Sequence, residues 1–370
     1  MSVSLHSARE PLFHQFFPPP TFLEMPAVGL DISDNAISAV ELVRRGDAYA
    51  VGRFGRRPLP SGAIVGGYIN DKDSVVAELQ KLRTELSLGF VNASLSEEKA
   101  YLFKTSIPIV PHEEIRGVLE FKLEENVPIP AVDAIFDYTV IREGERTHKD
   151  HLDVSVTVLP KKVVETYAGL IVSAGLTPLS FETEAQAVSR AVLPKGDHSA
   201  CLIVHFGETK TGLFIVSDEV VHFTSTVAIG GANITGAIAK YLSVSTEEAE
   251  RIKRERAQLA DRKNMDLFFS LMNAISALKD EINKLSTYWN THKEPAMSSE
   301  ERTVKRIILT GRDAGLAGFD DYLSLTLRIP VIVGNVWSNT CTFENYIPPI
   351  GSSDALEYAA AIGLALPKSH

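Results

Sequence analysis

Apolar positions first fall into a regular pattern at Val28-Gly29-Leu30-Asp31-Ile32-Ser33 and resume at Ala36 to Leu42, which reads as a strand, a tight polar turn and a returning strand. Gly62 to Ile69 reads as a loop with a short strand. Val75, Val76, Leu79, Leu82 and Leu86 then recur at helical spacing within Ser74 to Leu86, and Val91 to Leu95 returns to strand. From Tyr101 the pattern predicts a strand to Ile109, a helix opened by Pro111 and running to Asn126, and a stop at Val127-Pro128-Ile129-Pro130. Two strands, Ala134 to Ile141 and Leu152 to Leu159, flank the charged loop Arg142 to Asp150. A helix from Lys161 to Ala174 and a strand at Pro178 to Glu182 close the first half.

The second half uses the same grammar. Ala200 to Phe206, Gly212 to Val216 and Val220 to Ala228 read as strands, and Gly230-Gly231-Ala232-Asn233 leads into a helix. Both halves open with an apolar strand, a short polar turn and a returning strand, which predicts an internal duplication with two lobes rather than one large sheet. Between Thr246 and His292 the pattern is helical. Glu247 to Lys263 forms a charged, solvated face, and Leu267, Leu271, Leu278, Ile282, Leu285 and Trp289 form an apolar stripe.

Composition narrows the class. The 370 residues exceed one ordinary domain, and 45% apolar with 23% charged residues is globular usage, so wholesale disorder is excluded. A net charge of −10 repels phosphodiester backbones, which argues against nucleic acid as a partner. No apolar run approaches the ~20 residues that cross a bilayer, so a soluble protein is expected. The first 25 residues carry Phe13, Phe16, Phe17 and Pro18 to Pro20 without the continuous apolar core of a signal peptide, and read as a loose tail or as a partner-docking or membrane-touching arm. Cys201 and Cys341 lack metal spacing and read as reduced thiols of a cytosolic protein. His148 and His151 have no further ligand nearby and read as solvated loop histidines, so no metal site is expected. Neither a P-loop nor a Gly-x-Ser-x-Gly elbow is present.

The candidate chemistry sits in three turns. A turn that presents several backbone N–H groups, with glycine permitting close approach, can hold phosphate oxygens. Asp31-Ile32-Ser33-Asp34-Asn35, His205-Phe206-Gly207-Glu208-Thr209-Lys210-Thr211 and Gly230-Gly231-Ala232-Asn233 at a helix start are such turns. Each alone also suits an ordinary hairpin or helix start.

Together with Glu281 and Lys284 on a later helix and the strand-to-turn Ile307 to Gly311, their order resembles the actin-like ATPase superfamily. The resemblance covers Pro26 to Pro367. It implies an α/β actin-like fold of two RNase H-like lobes that clamp ATP and Mg²⁺. The first two turns would meet phosphates, and Glu281, Lys284, Gly311 and Arg312 would meet the adenosine. Ser94-Leu95-Ser96-Glu97, Leu123-Glu124-Glu125-Asn126-Val127-Pro128-Ile129-Pro130, Phe136-Asp137-Tyr138 and Glu357 to Leu366 are similar to the PilM family of type IV pilus assembly. The implied division is a tail over 1–25 and a first lobe over 26–100 completed by 182–198. An inserted strand-helix-strand-strand (SHS2-type) module spans 101–181. A second lobe over 199–231, completed by 300–370, carries a helical subdomain over 232–299.

That resemblance implies a cytoplasmic scaffold at the inner face of the membrane. It would bind the cytoplasmic N-terminal segment of PilN and other inner-membrane assembly components, touching the membrane only through partners. Glu120, Glu124 and Asn126 on the module are the expected polar partner contacts, and Leu123 and Ile129 are expected either as apolar anchors for the partner or as module core. His205 stands where the family's second phosphate turn begins with Asp, Ser33 where Gly is usual, and Arg312-Asp313 where glycines run on. These departures imply retained nucleotide binding with weak or absent hydrolysis. A sugar-kinase-like ATPase would need a carboxylate against the transferred phosphate, and an FtsA-like division protein a C-terminal amphipathic helix; both are weaker readings.

Overall fold

The computed structural model describes residues 27–141, 151–256, 265–291, 303–344 and 346–368. The predicted tail and the charged loop Arg142 to Asp150 lie outside them. β1 (Val28–Ile32) is buried along its whole length, as its nearly unbroken apolar run requires of a strand covered on both faces. β2 (Ala36–Arg45) and β3 (Ala48–Pro58) return antiparallel, and β4 (Ile64–Val65) with β5 (Tyr68–Ile69) forms a small hairpin. α1 (Lys72–Leu86) starts where Asp71 accepts the Ser74 N–H at 3.0 Å, and buries Val75, Leu79 and Leu82. β6 (Phe90–Leu95) then lies parallel to β1.

The inserted module follows as β7 (Tyr101–Pro108), α2 (His112–Asn126), β8 (Ala134–Val140) and β9 (His151–Pro160), with strand order β7-β9-β8. Its own core joins Ile107, Ile115, Leu119, Leu123, Val127 and Phe136 to the inner face of β9. The chain leaves through α3 (Lys161–Ser173) and β10 (Thr177–Thr183), and β10 adds parallel to β6 in the first sheet. The module therefore ends at Pro160 and not at Phe181 as the sequence suggested. An apolar helix followed by a strand looks the same whether it completes a module or returns to the parent sheet, and only pairing tells them apart.

α4 (Glu184–Val192) leads to the second lobe. β11 (Cys201–Phe206), β12 (Thr211–Ser217) and β13 (Val220–Val227) form an antiparallel meander, and α5 (Gly231–Leu242), α6 (Thr246–Arg256) and α7 (Met265–Thr291) make the helical subdomain. β14 (Arg306–Thr310), α8 (Phe319–Leu327) and β15 (Val331–Val333) complete the sheet. The two five-stranded sheets read β10-β6-β1-β2-β3 and β13-β12-β11-β14-β15, the same order and the same mixture of antiparallel and parallel neighbours. The predicted duplication is thus seen strand by strand. The apolar stripe is buried at Leu271, Leu278, Ile282 and Leu285. Lys253 is an exception within the charged run, since it is buried and not solvated.

The chain ends in α9 (Ser352–Ala355) and α10 (Ala359–Ala365). α10 does not complete the second sheet; it packs against β1 and α4. A Cβ on Gly29 would lie 1.9 Å from the Ala361 carbonyl oxygen, and one on Gly363 would lie 1.8 Å from that of Ala187. Only glycines allow these approaches. The two lobes are thereby joined at their base, and their hairpin turns face each other across a cleft.

Candidate functional site

The cleft lies between the β1–β2 turn of the first lobe and the β11–β12 turn of the second. Of the residues singled out in the sequence, the structure brings Asp31, Ser33, Asp34, Asn35, Gly207, Thr209, Lys210 and Arg312 together in its lining. Five carboxylates (Asp31, Asp34, Glu184, Glu208, Glu357) face three cations (Arg56, Lys210, Arg312). Glu184 and Arg56 carry no local signal in the sequence and are brought here by tertiary packing, whereas Glu208 lies in the second candidate turn and Glu357 opens the C-terminal segment that resembles the family.

The buried end of the cleft holds Asp31, Glu184 and His205. Asp31 accepts the Ser94 hydroxyl at 2.7 Å, and burial together with neighbouring Glu184 pushes its carboxyl up to about 6. His205 Nε2 lies 3.3 Å from Glu184 Oε1. Burial, opposed by Asp31 and helped by Lys210, brings the imidazole down to about 4, so it is neutral at physiological pH. Its Nδ1 is buried without a hydrogen-bond partner. Burial raises Glu184, with Lys210 opposing. Ser94 and Glu97, noted in the sequence as part of one motif, are both structural here: Ser94 braces Asp31, and Glu97 accepts the Ala185 N–H at 3.1 Å at the start of α4.

At the mouth, Lys210 reaches across from the second lobe. Its Nζ lies 3.1 Å from Asp34 Oδ2 and 3.0 Å from Glu98 Oε2, both in the first lobe. Burial disfavours the ammonium, but Asp34, Glu184 and Glu98 outweigh it and hold its pKa above the ordinary value. Asn35 Nδ2 donates to Thr209 Oγ1 at 3.3 Å beside this bridge.

The second-lobe wall is also ion-paired. Arg312 Nη1 lies 2.8 Å from Glu208 and Nη2 3.1 Å from Glu250. Lys253 Nζ lies 2.6 Å from Asp313 and 2.8 Å from Glu250, and donates to the Gly231 carbonyl at 3.3 Å. Burial works against the Glu250 carboxylate, but Lys253, Thr235 and Arg312 bring it down to about 2. A Cβ on Gly231 would sit 2.0 Å from Asp313 Oδ2, so the glycine makes room for this carboxylate.

The helix start at Gly230-Gly231 differs from the expected phosphate cradle. The Gly230 N–H donates to the Asn233 side chain at 2.9 Å, Gly231 N–H to the Gly207 carbonyl at 2.9 Å and Ala232 N–H to the Glu208 carbonyl at 2.7 Å. Gly231 and Ala232 therefore support the second turn, Gly230 is held by Asn233, and neither glycine lines the cleft. The Gly311 N–H likewise donates to the Leu356 carbonyl at 3.2 Å. Thr211 is buried and gives its hydroxyl to Ile229. Glu281 and Lys284 pair with each other at 3.6 Å on α7, outside the cleft lining. A residue type matching a family motif was not enough to place these side chains.

On the module, Glu120, Glu124 and Asn126 are exposed, and Asn126 donates to the Lys122 carbonyl at 2.8 Å. Leu123 is 1% exposed and belongs to the module core, the second of its two expected roles; its i, i+4 spacing from Leu119 is that of a core stripe. Ile129 is half-buried against the same core. Phe121, at 84% exposed, and Val132, at 81%, are apolar side chains the sequence reading passed over. No described helix is long and apolar enough to cross a membrane, and among the described residues no group of three or more His, Cys, Asp and Glu is arranged to hold a metal ion.

Comparison with known proteins adds to this geometry. The sequence model of the family described as Type IV pilus assembly protein PilM matches residues 29–369. Among solved structures, the chain is similar to one described as the PilM-PilN type IV pilus biogenesis complex, at 19% identity and TM-score 0.74, covering 92% of this chain and 98% of that one. It is similar to the ethanolamine utilization protein EutJ from Carboxydothermus hydrogenoformans at 14% identity and TM-score 0.56, over 94% and 90% of the two chains. It is also similar to MreB5 of Spiroplasma citri bound to ADP at 13% identity and TM-score 0.54, over 92% and 95%. These likenesses establish the actin-like fold.

Proposed function

This chain belongs to the PilM family of type IV pilus assembly proteins, and from that membership we propose that it is a scaffold that binds the cytoplasmic N-terminal segment of PilN. The single observation that carries the reading is the family match over nearly the whole chain, joined to a fold like that of a PilM-PilN complex. The chain works in the cytoplasm at the inner face of the membrane and reaches the bilayer through PilN and other assembly components. The partner surface is the inserted module. α2 offers Glu120, Phe121 and Glu124 to solvent, and Val132 is exposed beyond the Pro130 exit. An apolar anchor rimmed by carboxylates suits an amphipathic segment with basic residues.

The cleft is the nucleotide site that the fold implies, and its residues fit a polyphosphate. Lys210 and Arg312 would hold phosphate oxygens once released from their carboxylates, and Asp31 and Glu184 are hard oxygen donors of the kind Mg²⁺ takes. A bound nucleotide would supply a charge-dense bridge between the two turns. Hydrolysis is weak or absent, since neutral His205 offers the cation no charge where a carboxylate would.

The test is isothermal titration with a peptide of the PilN N-terminal segment against the wild type and against Glu120→Lys with Glu124→Lys, each with and without ATP and Mg²⁺. Both side chains are exposed, so the fold is retained. Wild-type binding weakened about tenfold by the charge reversal is expected; equal affinity in the folded double variant rejects this surface.

A further inference from the structure

Lys210 occupies an unusual position. It leaves the second-lobe turn and ends between two first-lobe carboxylates that come from different elements, Asp34 in the β1–β2 turn and Glu98 in the one-turn helix Glu97–Lys99. The three side chains are only 21%, 14% and 28% exposed. Asp34 is fixed in turn by the Gly66 N–H at 3.2 Å, so the acceptor is preorganised. Nearby, Arg312 is neutralised by Glu208 and Glu250. Each cation that a polyphosphate would use is thus already committed to a carboxylate of this chain.

We infer that Lys210 is a latch: its bridge to Asp34 and Glu98 holds the two turns together, and a polyphosphate must take Lys210 from these carboxylates to enter. The bridge crosses the cleft mouth beside the exposed Asn35–Thr209 hydrogen bond, so breaking it loosens one turn from the other without disturbing either sheet core. Charge-assisted contacts in a partly buried setting are strong enough to order a turn and weak enough to be exchanged for a better anion. A phosphate chain is such an anion. Its entry leaves Asp34 and Glu98 uncompensated in a cleft already rich in carboxylates, so it enters more readily with a divalent cation. This partner exchange rests on the cleft being a polyphosphate site; the latch itself does not.

Two measurements separate these claims. Amide hydrogen exchange is followed in the ligand-free wild type, in Lys210→Met, and in Asp34→Asn with Glu98→Gln, which keeps the lysine and the hydrogen-bond acceptor for Gly66. Exchange at residues 33–36 and 207–210 should quicken about tenfold in both variants while the core amides of β11 stay unchanged. Unchanged turn exchange in both overturns the latch. The same proteins are titrated with ATP and Mg²⁺. The Asn/Gln variant should bind about tenfold more tightly than the wild type, because no bridge has to be broken, and Lys210→Met more weakly. Equal or weaker binding by the Asn/Gln variant overturns the competition. If ATP binds none of the three, the nucleotide reading falls and the partner exchange with it, while the exchange rates still decide the latch.

Discussion

Replacing His205 by Asp tests whether the buried end of the cleft is built around a neutral imidazole. The change places a third carboxyl beside Asp31 and Glu184, the latter now 3.3 Å from His205 Nε2. Two carboxylates ~4 Å apart repel by about 4 kcal/mol at an effective dielectric of ~20. Protonation limits the loss: a carboxyl raised by ~3 units costs about 4 kcal/mol above its folded pKa and nothing below its unfolded one. The sign is that of a raised acid, so the penalty is absent near pH ~4 and grows as the pH rises toward ~7. Urea denaturation of His205→Asp should therefore show a loss of about 2–4 kcal/mol near pH ~8 that shrinks toward pH ~5. His205→Asn, which adds no charge, should lose less and show no such slope. Millimolar Mg²⁺ should restore part of the loss in the Asp variant alone, and Mg²⁺-dependent ATP hydrolysis should rise with it. Equal stability of the Asp variant and wild type across this range would refute the reasoning. Rapid wild-type hydrolysis abolished by His205→Ala would give the imidazole a catalytic role instead.

Burial pushes Glu97 up to about 7 from 4.5, with the Ala185 N–H opposing. The folded state then holds a proton that the unfolded chain releases between these values. Wild-type stability from this group falls as pH rises through that window, and Glu97→Gln should gain up to about 3 kcal/mol over wild type near pH ~8 and nothing near pH ~4, measured by urea denaturation. A gain independent of pH would show that charge is not the cause. Gly363→Ala pushes a methyl into the Ala187 carbonyl, and should cost about 3 kcal/mol or more through separation of α10 from α4. A thermal melt unchanged from wild type would mean the two helices slide apart freely.

The duplicated sheets were legible because hydrophobic alternation and the strand-turn-strand openings are local properties. The first two cleft turns were legible for the same reason: Asp31 to Asn35 and Gly207 to Lys210 are contiguous segments. The rest depends on long-range packing. Nothing near Glu184 in sequence marks it as a cleft residue, and it is the pairing of β10 with β6 that carries it there. Gly230 and Gly231 kept the residue types of a phosphate cradle, but the Gly231 amide serves the neighbouring turn and the Gly230 amide the Asn233 side chain. Lys253 sat in a run of charges that reads as solvated, yet Asp313 beyond β14 draws it inside. The return of β10 to the first sheet and of α10 to β1 could not be told from periodicity, which is blind to which partner a face meets.

The most direct measurement places a photo-crosslinking amino acid at Phe121 or Val132 on the module, and at Leu325 on α8 as a control, and adds the PilN N-terminal peptide. Phe121, Val132 and Leu325 are all more than 80% exposed, so none of the replacements disturbs a core. The scaffold account predicts peptide adducts at Phe121 or Val132, competed away by unlabelled peptide, and none at Leu325. Adducts at Leu325 alone, or a peptide that saturates binding without marking the module, would contradict it.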